Sequence, residues 1–223
     1  KSGNTKKNHL TLEQNSAICP PEITQEVFRM LTIHTHGVKA QVQCRSAAFA
    51  GSRRGSVSLF TADRLVGSLS VLGFSFLVGC APGIDSCFRG ALARHGSANA
   101  IIACAFKHRQ RRLGSSGVCA LTVAPEGLSP AAALHRRTVW LVRRASLLVL
   151  LPDDPLTGTW GKGSTLAFTT ALFNLKPIFV ATDQPPDPVP SYLMAADKLC
   201  NLVPGYWVLP YPEEEGGVCN DEW

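Results

Sequence analysis

Three glycine-containing segments hold the residues best suited to chemistry: Gly51-Ser52-Arg53, Gly79-Cys80-Ala81-Pro82-Gly83-Ile84-Asp85, and Gly158-Thr159-Trp160-Gly161-Lys162-Gly163-Ser164-Thr165. Glycine lets a backbone approach a ligand closely, and the free N–H groups at a helix start attract phosphate. Ser52, Ser164 and Thr165 add hydroxyl donors, while Arg53, Arg54 and Lys162 add positive charge. Asp85 suits a ribose hydroxyl or an amine, and equally a cap on the helix it opens. The chemistry these residues share is the holding of an anion. Neither common glycine fingerprint is present: no G-x-G-x-x-G follows the first apolar run, and no G-x-x-x-x-G-K-[ST] occurs anywhere. A standard dinucleotide dehydrogenase and a P-loop NTPase are both disfavoured.

Basic residues are the second signal. Residues 1–112 carry 15 Lys/Arg against 5 Asp/Glu, and residues 113–223 carry 7 against 11. A basic half suits an anionic partner or a solvated face. Its densest run, Lys107-His108-Arg109-Gln110-Arg111-Arg112, directly follows an apolar segment. Arg136 and Arg137, with Arg143 and Arg144, form a stripe broken by Trp140. Such a stripe either tracks a nucleic-acid backbone or pairs with nearby carboxylates. Trp160 is placed to stack on a base or to pack on the core. The eight cysteines (19, 44, 80, 87, 104, 119, 200 and 219) contain no C-x-x-C pair, and no histidine pair has zinc-finger spacing. The expectation is a reduced cytoplasmic protein, homo-oligomeric, with no metal and no cofactor beyond a possible bound nucleotide.

The elements that must position these residues follow from the apolar pattern. The chain has 223 residues, of which 45% are hydrophobic and 17% charged, enough for the core of one α/β domain and incompatible with a disordered chain. No run of 18 apolar residues is present, and no apolar stretch follows the basic start, so neither a membrane span nor a signal peptide is expected. Wholly apolar runs at 47–50, 74–78, 100–106, 118–123, 146–151 and 177–181 read as strands. Helical patterns separate them at 61–72, 84–95, 130–144 and 164–175. Strands of this type joined through helices make a parallel sheet covered on both faces. The expected fold is a doubly wound, mostly parallel α/β domain over residues 46–182. A helical extension (1–45, with Ile23, Val27, Met30 and Leu31 on one face) precedes it. A Pro-rich connector follows at 183–223, with a short helix over Tyr192–Leu202, a last strand over Tyr206–Leu209 and an acidic tail at Glu213-Glu214-Glu215.

Taken in order, several motifs resemble one family. They are Ala48-Phe49-Ala50-Gly51-Ser52-Arg53, then Gly79-Cys80-Ala81-Pro82-Gly83-Ile84-Asp85 with Arg89-Gly90-Ala91-Leu92, then Arg136-Arg137, then Gly163-Ser164-Thr165 with Ala171. Together they are similar to the Smf/DNA-processing protein A family of the SLOG superfamily, a group of Rossmann-like domains. The resemblance covers residues 46–182. It implies a pocket built from these loops that takes single-stranded DNA, or a nucleotide ligand in a nucleotide-sensing role. It carries Gly51, Ser52, Arg53, Gly79, Gly83, Asp85, Arg136, Arg137, Gly161, Lys162, Gly163, Ser164 and Thr165 over as candidate ligand contacts. Pro82 stands where an Arg is usual in that family, and Cys87-Phe88 where an Ala-His pair is usual. The same superfamily contains Lonely Guy phosphoribohydrolases, which supply the alternative of N-glycosidic cleavage. Their motif places a catalytic Glu where this chain has Ala167, which disfavours that alternative and leaves no catalytic residue assigned.

Overall fold

The computed structural model describes residues 45–96, 99–114, 117–190 and 192–210. The helix expected from Glu22 and the acidic tail lie outside them. The described residues form one sheet in the order β4-β3-β2-β1-β5-β6-β8-β7. The strands are β1 (Ser46–Gly51), β2 (Ser75–Gly79), β3 (Ala100–Cys104), β4 (Cys119–Thr122), β5 (Leu147–Leu151), β6 (Ile178–Val180), β7 (Tyr192–Leu199) and β8 (Val203–Pro210). Strands β1 to β6 pair in parallel, and β8 and β7 close one side antiparallel. The helices are α1 (Leu59–Val71), α2 (Ile84–Arg94), α3 (Lys107–Leu113), α4 (Pro130–Arg144) and α5 (Lys162–Phe173). The mostly parallel, doubly wound fold expected from the apolar runs is the fold observed.

Burial explains the two layers. Alternate residues of β1 point to opposite faces of the sheet. Phe49 stacks on Phe88 of α2, with ring centroids 3.9 Å apart, and on Phe76 of β2 at 5.8 Å. Ala48 belongs instead to a core shared with Leu141 and Val142 of α4 and Ala167 and Ala171 of α5. Helices α1 and α2 pack on each other, as do α4 and α5. Among the described residues, no helix is long and apolar enough to cross a membrane.

Strand β1 lies between β2 and β5 although the paired residues are 100 apart in the chain, and a reciprocal clamp sets their register. Ser46 N–H donates to Ser146 Oγ at 2.8 Å, Ser146 N–H donates to the Ser46 carbonyl at 2.8 Å, and Ser146 Oγ–H donates to the same carbonyl at 2.9 Å. Helix starts differ around the sheet. Ser58 caps α1 and Ser129 caps α4, where Pro130 follows at the first turn. Helices α2 and α5 begin at Gly83 and Gly161 with no side-chain cap.

Two expectations need correction. Residues 192–202 form no helix: Tyr192–Leu199 is a strand, paired along its length with β8. Residues 199–202 turn the chain, with Leu202 N–H donating to the Leu199 carbonyl at 3.0 Å. Cys200 and Asn201, the central pair, have φ of 53° and 57°. That left-handed pair is the mark of a hairpin turn, and tertiary pairing overrides the helix propensity of Leu193, Met194, Ala195 and Ala196. The hairpin joins the main sheet, so the sheet continues past residue 182 to Pro210. The second is one of length: the last strand, expected over Tyr206–Leu209, runs over Val203–Pro210. The basic run after β3 forms the short helix Lys107–Leu113.

Candidate functional site

Between β1 and β5 the direction of strand addition reverses, and in open parallel sheets ligands bind outside the carboxyl ends of the strands at such a point. A cavity of about 540 Å³ lies there. It is bounded by residues 49–54 of β1 and its loop, Ala81 of the loop after β2, Asp85 in the first turn of α2, the inner face of α4, and Gly161–Ser164 at the start of α5. Its size falls within the usual range for small-molecule sites. Its walls are unlike. Phe49, Ala50, Ala131, Leu134 and Leu141 make an apolar side, while Arg53, Arg54, Arg137 and Lys162 bring four cations against the carboxylates of Asp85 and Asp154.

Arg137 and Asp85 anchor the floor. Both are buried, and Arg137 Nη1 donates to Asp85 Oδ2 at 2.8 Å. The same oxygen accepts Ala81 N–H at 3.1 Å. Asp85 therefore holds the loop before its helix and orients the guanidinium, in place of the helix cap considered from sequence. Arg137 Nε is buried and lacks a hydrogen-bond partner among the described residues. Such an atom costs about 1–3 kcal/mol if nothing satisfies it. Gly79 makes the pair possible, because a Cβ there would overlap both the guanidinium and the Asp85 carboxylate.

The other glycines divide by purpose. A Cβ at Gly51 would meet the Leu151 carbonyl and Ile84, so this glycine serves the close approach of β1 to β5 and α2. Gly83, at φ 74°, packs against the Ser52 carbonyl and Arg53 backbone. Gly161 and Gly163 face open space, where an added Cβ would meet nothing within 4 Å. They open the 12-residue helix α5. Ser164 and Thr165 N–H groups donate to the Gly161 carbonyl, which leaves the N–H groups of Lys162 and Gly163 at the mouth of the helix. Helix α2 differs, since its first N–H, that of Ile84, donates to the Ser52 carbonyl at 3.1 Å.

The structure thus brings Gly51, Ser52, Arg53, Asp85, Arg137, Gly161, Lys162, Gly163 and Ser164 to one cavity. It does not bring the rest. Arg136 is exposed and outside the cavity lining, one helix position from the buried Arg137. Thr165 is exposed, and its hydroxyl donates back to the Gly161 carbonyl at 3.4 Å. Gly79 and Gly83 shape the floor without lining it. The Ser52 hydroxyl accepts the N–H groups of Arg54 and Gly55, both at 3.2 Å, so it closes its own turn. Trp160 packs edge-on against Phe168, with centroids 5.3 Å apart, which is its core-packing reading. The run 107–112 lies outside the cavity.

Four cavity residues carried no sequence signal that singled them out: Leu134, His135, Thr138 and Asp154. The first three sit with Ala131, Arg137 and Leu141 at three- and four-residue spacings on α4, a face the sequence shows as ordinary amphipathic helix. Asp154 faces Arg54 at 3.5 Å across the mouth, a long-range pairing no local motif announces. Among the described residues, no group of three or more His, Cys, Asp or Glu is placed to hold a metal ion.

No protein-family model matches the chain, and no curated protein does. Solved structures similar to it include two DNA processing proteins. One is DNA processing protein A from Streptococcus pneumoniae, at 17% identity and a TM-score of 0.49, over 66% of this chain and 52% of that one. The other is DNA processing protein A from Helicobacter pylori, a protein described for its single-stranded DNA binding mode, at 15% identity and a TM-score of 0.45. That match covers 66% of this chain and 67% of the other. The chain therefore spans about half the length of the first neighbour.

Proposed function

We propose that the chain is a binding protein whose cavity takes a phosphate-bearing ligand, single-stranded DNA or a nucleotide. The observation that carries this reading is the convergence of the open α5 start with Arg53, Lys162 and the buried, incompletely satisfied Arg137. Helix N–H groups and guanidinium donors recognise the same oxyanion, and the apolar wall of α4 suits a base or sugar edge. The resemblance of the loop motifs to the DNA-processing protein A family makes single-stranded DNA the first ligand to test. Binding without catalysis is the favoured mode: the buried Ala167 supplies no carboxylate, and Asp85 is engaged by Arg137 and Ala81.

The test is titration of labelled single-stranded DNA and of nucleoside phosphates at two salt concentrations. A polymer contacting several phosphates loses affinity steeply with salt, and a nucleotide held through one or two loses it shallowly. At Gly163 an added Cβ meets no atom of a neighbouring element within 4 Å, so Gly163→Val intrudes on the open mouth of α5. It is expected to weaken binding at least tenfold, about 1.4 kcal/mol, with little change in thermal stability. Lys162→Ala should cost less, because lysine acts as a mobile point charge. If neither ligand binds at low salt, or if Gly163→Val binds like the parent, this assignment of the cavity is wrong. Release of free base from a nucleotide would favour the hydrolase alternative.

A further inference from the structure

The carboxyl ends of β2 and β3 hold a second cluster, outside the cavity. Cys80 directly follows β2 and Cys104 ends β3. The parallel register pairs Gly79 with Ala103, so one step further sets Cys80 beside Cys104. Adjacent parallel strands lie about 4.8 Å apart, inside the Cα range of about 4.4–6.8 Å that a disulfide spans. Both cysteines are free and buried, at 3% and 0% exposure.

The surroundings are cationic. Arg89 Nη1 donates to the Gly79 and Ala81 carbonyls at 2.7 and 2.8 Å, and Arg109 Nη1 donates to the Cys80 carbonyl at 2.9 Å. Arg137 adds a third guanidinium, and Asp85 is the carboxylate set against them. The Cys104 hydrogen bond, with the fields of Arg137 and Arg109, lowers the Cys80 thiol to about 5 against the opposing effect of burial. Cys104 is pushed upward by the same hydrogen bond and by burial. The two shifts run in opposite directions, favouring negative charge on Cys80 and the proton on Cys104. A buried cysteine in apolar surroundings is inert, whereas a thiolate in an electropositive setting is a nucleophile.

We propose that Cys80 and Cys104 form a reversible thiol–disulfide site, in which Cys80 reacts with hydrogen peroxide and Cys104 resolves the product. The Cys80 thiolate attacks one peroxide oxygen, the O–O bond breaks, and hydroxide leaves and takes a proton to become water. Cys80 is then a sulfenic acid. The Cys104 sulfur attacks it, the S–O bond breaks, and hydroxide departs as water with the Cys104 proton. Two thiols give up two electrons and two protons, and one peroxide becomes two waters. The burial of both sulfurs selects an oxidant of water's size. The proposal does not require any particular ligand in the cavity, although Arg137 and Asp85 border both sites.

Brief exposure of the full chain to a small excess of hydrogen peroxide tests it, followed by alkylation in denaturant and peptide mass spectrometry. The expected product is a dithiothreitol-reversible Cys80–Cys104 crosslink, formed before labelling is lost at Cys87, Cys119 or Cys200. In Cys104→Ser, or in Cys104→Ala should serine unfold the chain, dimedone added with denaturant after the peroxide is quenched should trap a sulfenic acid at Cys80. Arg109→Gln should slow crosslinking several-fold. Full alkylation of both cysteines while exposed Cys119 is oxidised would overturn the proposal. A disulfide from Cys80 to any other cysteine, or dimedone capture elsewhere in preference to Cys80, would do the same.

Discussion

Arg53 and Arg109 stand at the same edge of one sheet, a few strands apart, and they are used differently. Around β2 and β3, guanidiniums are spent on backbone: Arg89 grips the Gly79 and Ala81 carbonyls and Arg109 the Cys80 carbonyl. Lys107 pairs with Glu126. Around β1 and β5, Arg53 and Lys162 face an open cavity. The lesson concerns charge in sequences. The run 107–112 is the denser cluster, yet much of its charge is absorbed locally. The sparser set at the cavity is the one left available for a ligand. Affinity for an anion follows cations without partners, and their number along the chain is a poor guide.

Three experiments would break or sharpen this contrast. The largest effect is expected from Arg137→Ala, which strands Asp85 in the interior. Unfolding in denaturant should show a loss of about 3–5 kcal/mol, the usual cost of removing one partner from a buried ion pair. Parent-like stability would mean that Asp85 does not depend on its partner. A second comparison sets Arg53→Ala against Arg111→Ala in phosphate-ligand titrations. About a tenfold loss is expected for the first, in the range of a charge-assisted hydrogen bond, and less than about twofold for the second, as for exposed charges generally. The reverse order would move the ligand to the β3 side.

The third test is a pH dependence, predicted in direction alone. Cys80 titrates lower in the folded chain than unfolded, so its contribution is full above the unfolded thiol value and fades as pH falls toward about 5. Cys104 is raised, so its contribution is present at lower pH and fades once unfolded thiols ionise. Between these limits the unfolded chain binds one more proton than the folded pair. Stability should therefore climb from pH 5 to a maximum near the ordinary thiol value and decline beyond it. Comparing denaturation midpoints of the parent and Cys80→Ser across that range would reveal the effect, and identical profiles would remove it.

Much of the layout was legible because the strands are wholly apolar and their glycine-rich ends are local features. Ala47–Ala50, Ser146–Leu151 and the loops after them need no partner to be recognised. What was hidden depends on distant pairing. Tyr192–Leu199 carries helix-forming residues and becomes a strand only against β8. Arg136 and Arg137 are indistinguishable as letters. One helix position, about 100° of rotation, sends one to solvent and the other to Asp85. The glycines told the same story: the sequence shows that Gly51, Gly79 and Gly163 matter, and only the neighbours show that the first two make room for protein atoms.

The clamp between Ser46 and Ser146 has a kinetic corollary. The chain from β1 through β4 assembles by short-range steps, each strand joining its predecessor. Seating β5 beside β1 must instead close a loop of 100 residues, an entropic toll that grows only logarithmically but postpones the contact. Both walls of the cavity meet at that seam. A chain growing from its N-terminus completes half of its sheet before any ligand site exists, so ligand capture would report that the β1–β5 pairing, the one that spans the most chain, has closed.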